Sequence, residues 1–277
     1  MVDIIIDTII DGIKLIPFLF IAFLIIEFFE HKMSKKGLKL VQKSGRFGPI
    51  VGSILGLFPQ CGFSVLATNL YSTRIITLGT LISIYLSTSD EMLPILISRN
   101  ASFDVILNLL LVKFIVGFIS GTIIDIVIRK KEKVNYEICE DDNCHCEGNI
   151  FKSTIKHTLN TLAFILFTSF IINIVITFLG EDNLARIFMK DSIFGPFLSS
   201  LIGLIPNCAS SIMISELYLN GAISFASASA GLLTGSGVAL LLLFKTNKNR
   251  KENLSILALL YLIGSISGVI IELLSLL

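Results

Sequence analysis

Two short motifs in this chain place a proline, a side-chain amide and a cysteine in immediate succession: Pro59-Gln60-Cys61-Gly62 and Pro206-Asn207-Cys208-Ala209. Proline leaves a backbone carbonyl without its helical partner, the amide adds an oxygen, and cysteine adds a soft sulfur. Thiolates favour soft or borderline ions such as Cu(I), Zn(II) or trivalent arsenic over Ca²⁺ and Mg²⁺. We therefore predict that Gln60, Cys61, Asn207 and Cys208 contact a substrate. The alternative is that both cysteines are small buried core residues, as cysteine often is.

Two further segments carry hydroxyl, carboxylate or glycine residues in the middle of long apolar runs. They read Ser87-Thr88-Ser89-Asp90-Glu91 and Thr234-Gly235-Ser236-Gly237. Both patterns predict an interrupted helix whose free hydroxyl and backbone groups face a substrate. Acids within a membrane span are costly and usually functional. Asp90 and Glu91 are therefore candidates for cation or proton coupling. Asp90 would join Cys61 and Cys208 in a mixed site that also suits Mn or Zn; the alternative is that Asp90 only caps a half-helix.

A third set of metal-binding side chains lies in the polar linker near the middle of the chain, Cys139-Glu140-Asp141-Asp142-Asn143-Cys144-His145-Cys146-Glu147. Cys139, Cys144, His145 and Cys146 form a possible zinc set. Their spacing is not that of a zinc finger, so a solvated acidic linker stays open as the alternative. Metal capture at this place would favour export if the linker is cytoplasmic.

The elements that must position these residues are membrane spans. The chain has 277 residues, of which 53% are hydrophobic and 16% charged, and its net charge of +1 gives no indication of nucleic-acid binding. Apolar runs of about 20 residues are long enough to cross a bilayer as helices. They lie at 13–29, 75–98, 105–128, 158–179 and 253–275, and runs broken by proline and polar residues lie at 47–70 and 194–218.

The sequence repeats itself without a gap at an offset of 147 residues. Phe47-Gly48-Pro49 then falls on Phe194-Gly195-Pro196, and each Pro-amide-Cys motif falls on the other. Farther along, Gly117 falls on Gly264 and Asp125 on Glu272. We therefore predict an all-α polytopic membrane protein with membrane repeats at 1–128 and 157–277, joined by a linker at 129–156.

The charges predict how the two repeats are inserted. Lysine and arginine accumulate in short cytoplasmic loops. Basic residues dominate 31–46, both ends of the linker and 245–252, whereas 98–104 and 180–193 lack this excess. Equivalent loops thus fall on opposite sides of the membrane, as inverted repeats require, and both termini are expected outside a prokaryotic plasma membrane. The crossing count then requires 47–70 and 194–218 to be re-entrant helical hairpins, which gives about ten helices.

This chain resembles the family of ten-helix heavy-metal exporters in several features. They are residues 56–64, the equivalent residues 203–211, the duplicated helices and the ligand-rich linker. That family is related to arsenic-efflux permeases and is also labelled as manganese transporters. The resemblance covers nearly the whole chain and implies secondary-active efflux of an ion of the Mn, Zn or As class. Linkers in this family are often rich in histidine, whereas this linker has one histidine and three cysteines, which leaves the identity of the ion open.

Other functions stay open beside transport. A channel with paired half-helices is the nearest, although the Asn-Pro-Ala tips of aquaporin-like channels are absent; a membrane-embedded metal sensor is another. An enzyme is not favoured, because neither His-Glu-x-x-His nor Gly-x-Ser-x-Gly occurs. No cofactor is expected beyond the transported metal or metalloid ion and a coupling proton or cation. The expected partners are the lipid bilayer and that ion, with a homodimer left open. Lys113 is interpreted as a side chain that snorkels to the interface or pairs with an acid.

Overall fold

A computed structural model describes residues 47–59, 62–89, 92–128 and 194–275, together with isolated helical residues between 16 and 24 and between 151 and 170. The predicted spans 13–29 and 158–179, the loops 31–46 and 180–193, and most of the linker lie outside the fully described ranges. Within those ranges the chain is helical and contains no strand, as predicted.

Ten helices follow one another in the described ranges, five before the linker and five after it. They are α1 (Gly48–Gly56), α2 (Gly62–Ser72), α3 (Leu78–Ser87), α4 (Met92–Ser98), α5 (Phe103–Val127), α6 (Gly195–Gly203), α7 (Cys208–Leu219), α8 (Phe225–Thr234), α9 (Ala239–Thr246) and α10 (Arg250–Ser275).

The long helices α5 and α10 have the length and the surface of membrane spans. With 25 and 26 residues, each is about 37–39 Å long, enough to cross the roughly 30 Å hydrocarbon core. Large apolar side chains at four-residue spacing cover the outer face of α5, and α10 carries the same stripe at the 147-residue offset; examples are Leu107, Ile115, Ile119 and Ile123, and then Leu254, Leu262, Ile266 and Ile270. These exposed stripes are the surfaces that lipid would cover.

Short helices occupy the places where the sequence predicts breaks. The broken run at 47–70 forms α1 and α2, and the one at 194–218 forms α6 and α7. Helices of 9 to 12 residues are only about 13–18 Å long, about half the length needed to cross a bilayer. The runs at 75–98 and 222–244 are likewise interrupted, between α3 and α4 and between α8 and α9. Measured across its interruption, the segment Phe225–Thr246 still has the length and hydropathy of a span and is almost entirely buried.

The same carboxylate position fixes the start of the interrupted helix in each half. Thr77 caps α3 by accepting a hydrogen bond from the backbone N–H of Thr80, and its hydroxyl donates to Asp125 at 2.7 Å. Ser224 caps α8 by accepting from Ser227, and its hydroxyl donates to Glu272 at 2.8 Å. Because Asp125 and Glu272 are the acids that the sequence repeat superposes, the repeat extends from sequence to hydrogen bonding.

Helix packing also repeats between the halves. α3 packs against α1 and α5, and α8 packs against α6 and α10. The bounds of the five helices before the linker match those after it at the 147-residue offset, to within one residue. The chain is therefore built from one helical unit used twice.

The halves contact each other through two equivalent pairs of helices, α2 with α9 and α4 with α7, and α8 also contacts α3 and α5. Beside the first contact, Arg74 holds Glu252 through two hydrogen bonds of 2.5 and 2.7 Å, and the Tyr71 hydroxyl donates to the same carboxylate. Beside the second, Arg99 donates to Glu216 at 2.8 Å from a much more exposed position. We call the group Tyr71, Arg74 and Glu252 the α2–α10 latch.

Candidate functional site

In the first half, the end of α1 lies against the end of α3. A Cβ added to Gly56 would overlap the Ser87 hydroxyl and would lie 2.8 Å from the Ile84 carbonyl oxygen. The backbone N–H of Ser89, just beyond α3, donates to the Gly56 carbonyl at 3.1 Å. Glycine permits this approach because it has no side chain. The segment leading to Pro59-Gln60-Cys61 is therefore held beside the Ser87-Thr88-Ser89 segment.

The second half repeats this arrangement with different side chains. A Cβ on Gly203, at the end of α6, would overlap the Thr234 hydroxyl at the end of α8. That hydroxyl donates toward the Ser200 carbonyl at 2.9 Å, which ties the two helix ends together. In α7, the Ser211 hydroxyl lies 3.3 Å from where a Cβ of Gly235 would be. The ends of α6 and α7 that flank Pro206-Asn207-Cys208 are thus neighbours of the helix interruption in this half.

Asn207 and Cys208 lie at the start of α7. Asn207 caps α7, and its side-chain oxygen accepts a hydrogen bond of 3.3 Å from the backbone N–H of Ala209. Cys208 is the first residue of α7, and both side chains are buried. The amide and the thiol are therefore held at a helix N-terminus, inside the protein rather than facing lipid.

The predicted hydroxyl residues are buried as a group. Ser87 and Thr88 donate to carbonyls of the preceding turn at 2.8 and 2.7 Å, and Ser89 donates to the Ser87 carbonyl at 3.1 Å. Thr234 and Ser236 are also buried. A hydroxyl that donates its hydrogen to a carbonyl keeps lone pairs on its oxygen. The three hydroxyl groups with these bonds can therefore still serve as ligands for a cation.

The interruption in the second half is enclosed by groups of the first half. Before it, the Lys113 ammonium donates to the Leu232 carbonyl at 2.5 Å. After it, the Tyr85 and Thr68 hydroxyls lie 3.3 and 3.4 Å from the Ala239 carbonyl oxygen. The irregular backbone that the sequence predicts as substrate-contacting thus lies at the boundary between the two halves.

Several predicted site residues lie outside the described ranges: Gln60, Cys61, Asp90, Glu91, Cys139, Cys144, His145 and Cys146. Within the residues that the structure describes, no three His, Cys, Asp or Glu side chains group closely enough to hold a metal ion. In this part of the site the groups that could act as ligands are the Asn207 amide, the Cys208 thiol, hydroxyls and backbone carbonyls. A role for the other residues stays a prediction.

Sequence reasoning gave too little weight to Lys113, Thr68 and Tyr85. Snorkelling of Lys113 is wrong, because its side chain is 1% exposed and its ammonium lies on a carbonyl of the other half. A signal was present in the sequence, since Lys113, Gly117 and Gly121 share one helical face at four-residue spacing and small residues mark packed faces in membranes. Thr68 and Tyr85 gave no such signal, because their partner Ala239 is distant in the chain.

Comparison with known proteins gives a family match over the whole membrane region. The chain matches the family described as "Putative, 10TM heavy-metal exporter" over residues 1–179 and again over 149–275. No curated protein and no solved structure matches this chain.

Proposed function

We propose that this chain, which belongs to the family of 10TM heavy-metal exporters, exports a soft or borderline metal ion or an arsenical by secondary-active transport. The observation that carries the proposal is the convergence of the irregular segments. Each hairpin lies against an interrupted helix of its own half, and the interruption at 235–238 lies between groups donated by the other half. Irregular backbone at membrane depth is tolerated only where it is buried in protein or lines a water-filled cavity, and in transporters such broken helices form the substrate site.

Opposite insertion of the two repeats is part of this proposal, and the contacts between halves support it. The charge distribution assigns 245–252 to the inside, and Glu252 pairs with Arg74, in the turn after the first hairpin. It assigns 98–104 to the outside, and Arg99 pairs with Glu216 near the end of the second hairpin. A first hairpin that enters and leaves from the inside would place Arg74 beside Glu252 at the inner face of the membrane. A second hairpin that enters and leaves from the outside would place Glu216 beside Arg99 at the outer face.

The proposed transport site consists of ligands from both hairpin tips. Gln60, Cys61, Asn207 and Cys208 bind the ion, and Ser87, Thr88, Ser89, Thr234 and Ser236 add oxygen ligands around the interruptions. Asp90 and Glu91 compensate the charge of the ion and couple its movement to a proton or cation. Movement of one set of hairpins against the other helices then exposes the site to each side in turn.

Replacement of both Cys61 and Cys208 by serine tests the site. Serine keeps the size of the side chain and removes the soft ligand, so we expect efflux to fall to the level of cells without the protein. Accumulation of Zn²⁺, Mn²⁺, Cu⁺ and arsenite in cells with and without the protein measures efflux and identifies the ion. Serine at Cys139, Cys144 and Cys146 is the matched control, because it removes the same chemistry from the linker. Unchanged efflux by the double variant would overturn the proposed ligands.

Deletion of 139–147 separates a transporter from a sensor. A transporter whose site lies between the repeats keeps most of its efflux without this segment, whereas a sensor that reads metal through the linker loses its response. Flux through reconstituted protein is expected to saturate with ion concentration. A conductance that rises linearly with concentration would instead indicate a channel.

A further inference from the structure

Lys113 is the only charged side chain that is buried among the residues that the structure describes. It lies in the middle of α5, and its ammonium donates to the Leu232 carbonyl at 2.5 Å. Leu232 belongs to the last turn of α8, where backbone carbonyls have no helical partner and carry the negative end of the helix dipole. A cation of the first half thus occupies an electronegative helix end of the second half.

The packing of α5 on α3 places Lys113 level with the first interruption as well. A Cβ on Gly121 would contact Gly79 and Ser83, and a Cβ on Gly117, one turn earlier, would lie 3.5 Å from the Ser87 Cβ. The two helices are antiparallel, so one further turn back along α5 brings Lys113 to the level of the end of α3. Lys113 therefore lies between α3 and α8. The residue to which it donates, Leu232, comes two residues before Thr234 in α8.

The equivalent position in the second half has no charge. Leu260 takes the place of Lys113 at the 147-residue offset and is fully buried in a hydrophobic core cluster that also contains Val238 and Leu240. The fold therefore accepts an apolar side chain at this position of the repeat. Only the first half has an ammonium group at this position. The helix packing that the two halves share therefore does not explain why it is there.

We propose that the Lys113 ammonium is an internal cation that occupies the α8 end of the transport site when no ion is bound and that the cargo ion displaces. The proposal rests on the proposed function and specifies its substrate as a species that is cationic at this place. Two positive charges close together in a low-dielectric interior repel strongly, so bound cargo and the ammonium on Leu232 exclude each other. Lys113 thereby weakens ion binding. When no ion is bound, its ammonium occupies the electronegative end of α8 while the protein changes conformation.

Binding and transport by the purified full-length chain in vesicles test this role, with Zn²⁺ as the probe. K113M keeps the length of the side chain and removes the charge, and K113Q keeps an N–H donor for the Leu232 carbonyl. We expect both variants to bind Zn²⁺ about tenfold more tightly, because the competing charge is absent. We also expect net transport to fall about tenfold or more, because the empty site is no longer filled during its return. K113R retains the charge and should restore both values to within about threefold of wild type.

L260M is the matched packing control, since it alters the equivalent buried position without a charge. Zn²⁺ affinity in K113M and K113Q that equals or falls below that of wild type, in protein with an unchanged melting temperature, would overturn the proposal. If K113M does not fold, K113Q decides by the same comparison. If the wild type transports none of Zn²⁺, Mn²⁺, Cu⁺ and arsenite, the proposed function fails, while the Zn²⁺ affinities still decide the role of Lys113.

Discussion

Thr234 is a predicted site residue, and its hydroxyl group joins the end of α8 to α6. The side chain is buried, and its oxygen lies 2.9 Å from the Ser200 carbonyl and 3.0 Å from the Gly231 carbonyl. Valine has nearly the same shape but no hydroxyl, so T234V removes this bond, while the Ser200 carbonyl still accepts from the Leu204 backbone N–H. We expect a loss of about 0.5–1.5 kcal/mol in stability, the net contribution of one hydrogen bond. Thermal unfolding in detergent measures it.

T234S is the control for this change, because it keeps the hydroxyl and removes only a methyl group. We expect its melting temperature to lie closer to wild type than that of T234V. A larger loss in T234S than in T234V would show that the methyl packing, and not the hydrogen bond, holds α6 on α8.

At the scale of the helix, each interrupted span begins at a hydroxyl cap whose donor group is held by a carboxylate. Loss of an N-cap hydroxyl typically costs about 1 kcal/mol. We therefore expect T77A and S224A each to lower the melting temperature by about 2 °C, and the two effects to add because the caps belong to different halves. Thermal unfolding of the single and double variants in detergent tests this expectation.

The carboxylates give a comparison between the two caps. In the first half Asp125 also accepts a hydrogen bond from the Gly79 backbone N–H at 2.9 Å, whereas the described bond to Glu272 comes from the Ser224 hydroxyl. D125N is therefore expected to cost more stability than E272Q. Equal losses would mean that the backbone contact of Asp125 contributes nothing measurable.

The helices and their breaks could be predicted because each occurs twice in the sequence, at the 147-residue offset. The superposition of Asp125 on Glu272 and of each Pro-amide-Cys motif on the other fixed which segments are equivalent, and the structure gives these segments matching bounds. The pairing between halves could not be predicted in this way. Lys113 has Leu260 as its counterpart, and Tyr85 has Leu232, so a comparison of repeats gives no sign that these polar groups meet the other half.

At the scale of the molecule, the two equivalent contacts between halves are used unequally. On the α2–α9 side, Ser72 and Thr246 are joined at 2.7 Å, and the α2–α10 latch is largely shielded from solvent. On the α4–α7 side, the ion pair between Arg99 and Glu216 is more exposed to solvent. The structure therefore holds one side of the half–half boundary more firmly than the other.

Release of the α2–α10 latch should open the firmer side. R74Q removes the positive charge that pairs with Glu252. We therefore expect faster maleimide labelling of a cysteine placed at Thr246. The reversed pair R74E with E252R should restore slow labelling, since the two charges again attract each other. R99Q is the matched control on the other side and should leave labelling at position 246 unchanged. Equal labelling in R74Q and wild type would show that the latch does not hold this side closed.

Opposite insertion of the repeats makes a prediction that a single orientation cannot satisfy. Asn100 and Asn249 lie in loops at matching places of the two halves, after α4 and after α9. The charge distribution assigns the first loop to the outside and the second to the inside. In a chain whose five native cysteines are serine, we expect a membrane-impermeant maleimide to label N100C in intact cells and N249C only after the membrane is opened. Labelling of both positions from the same side would show that the repeats are parallel, and the two hairpin tips would then enter the membrane from one face.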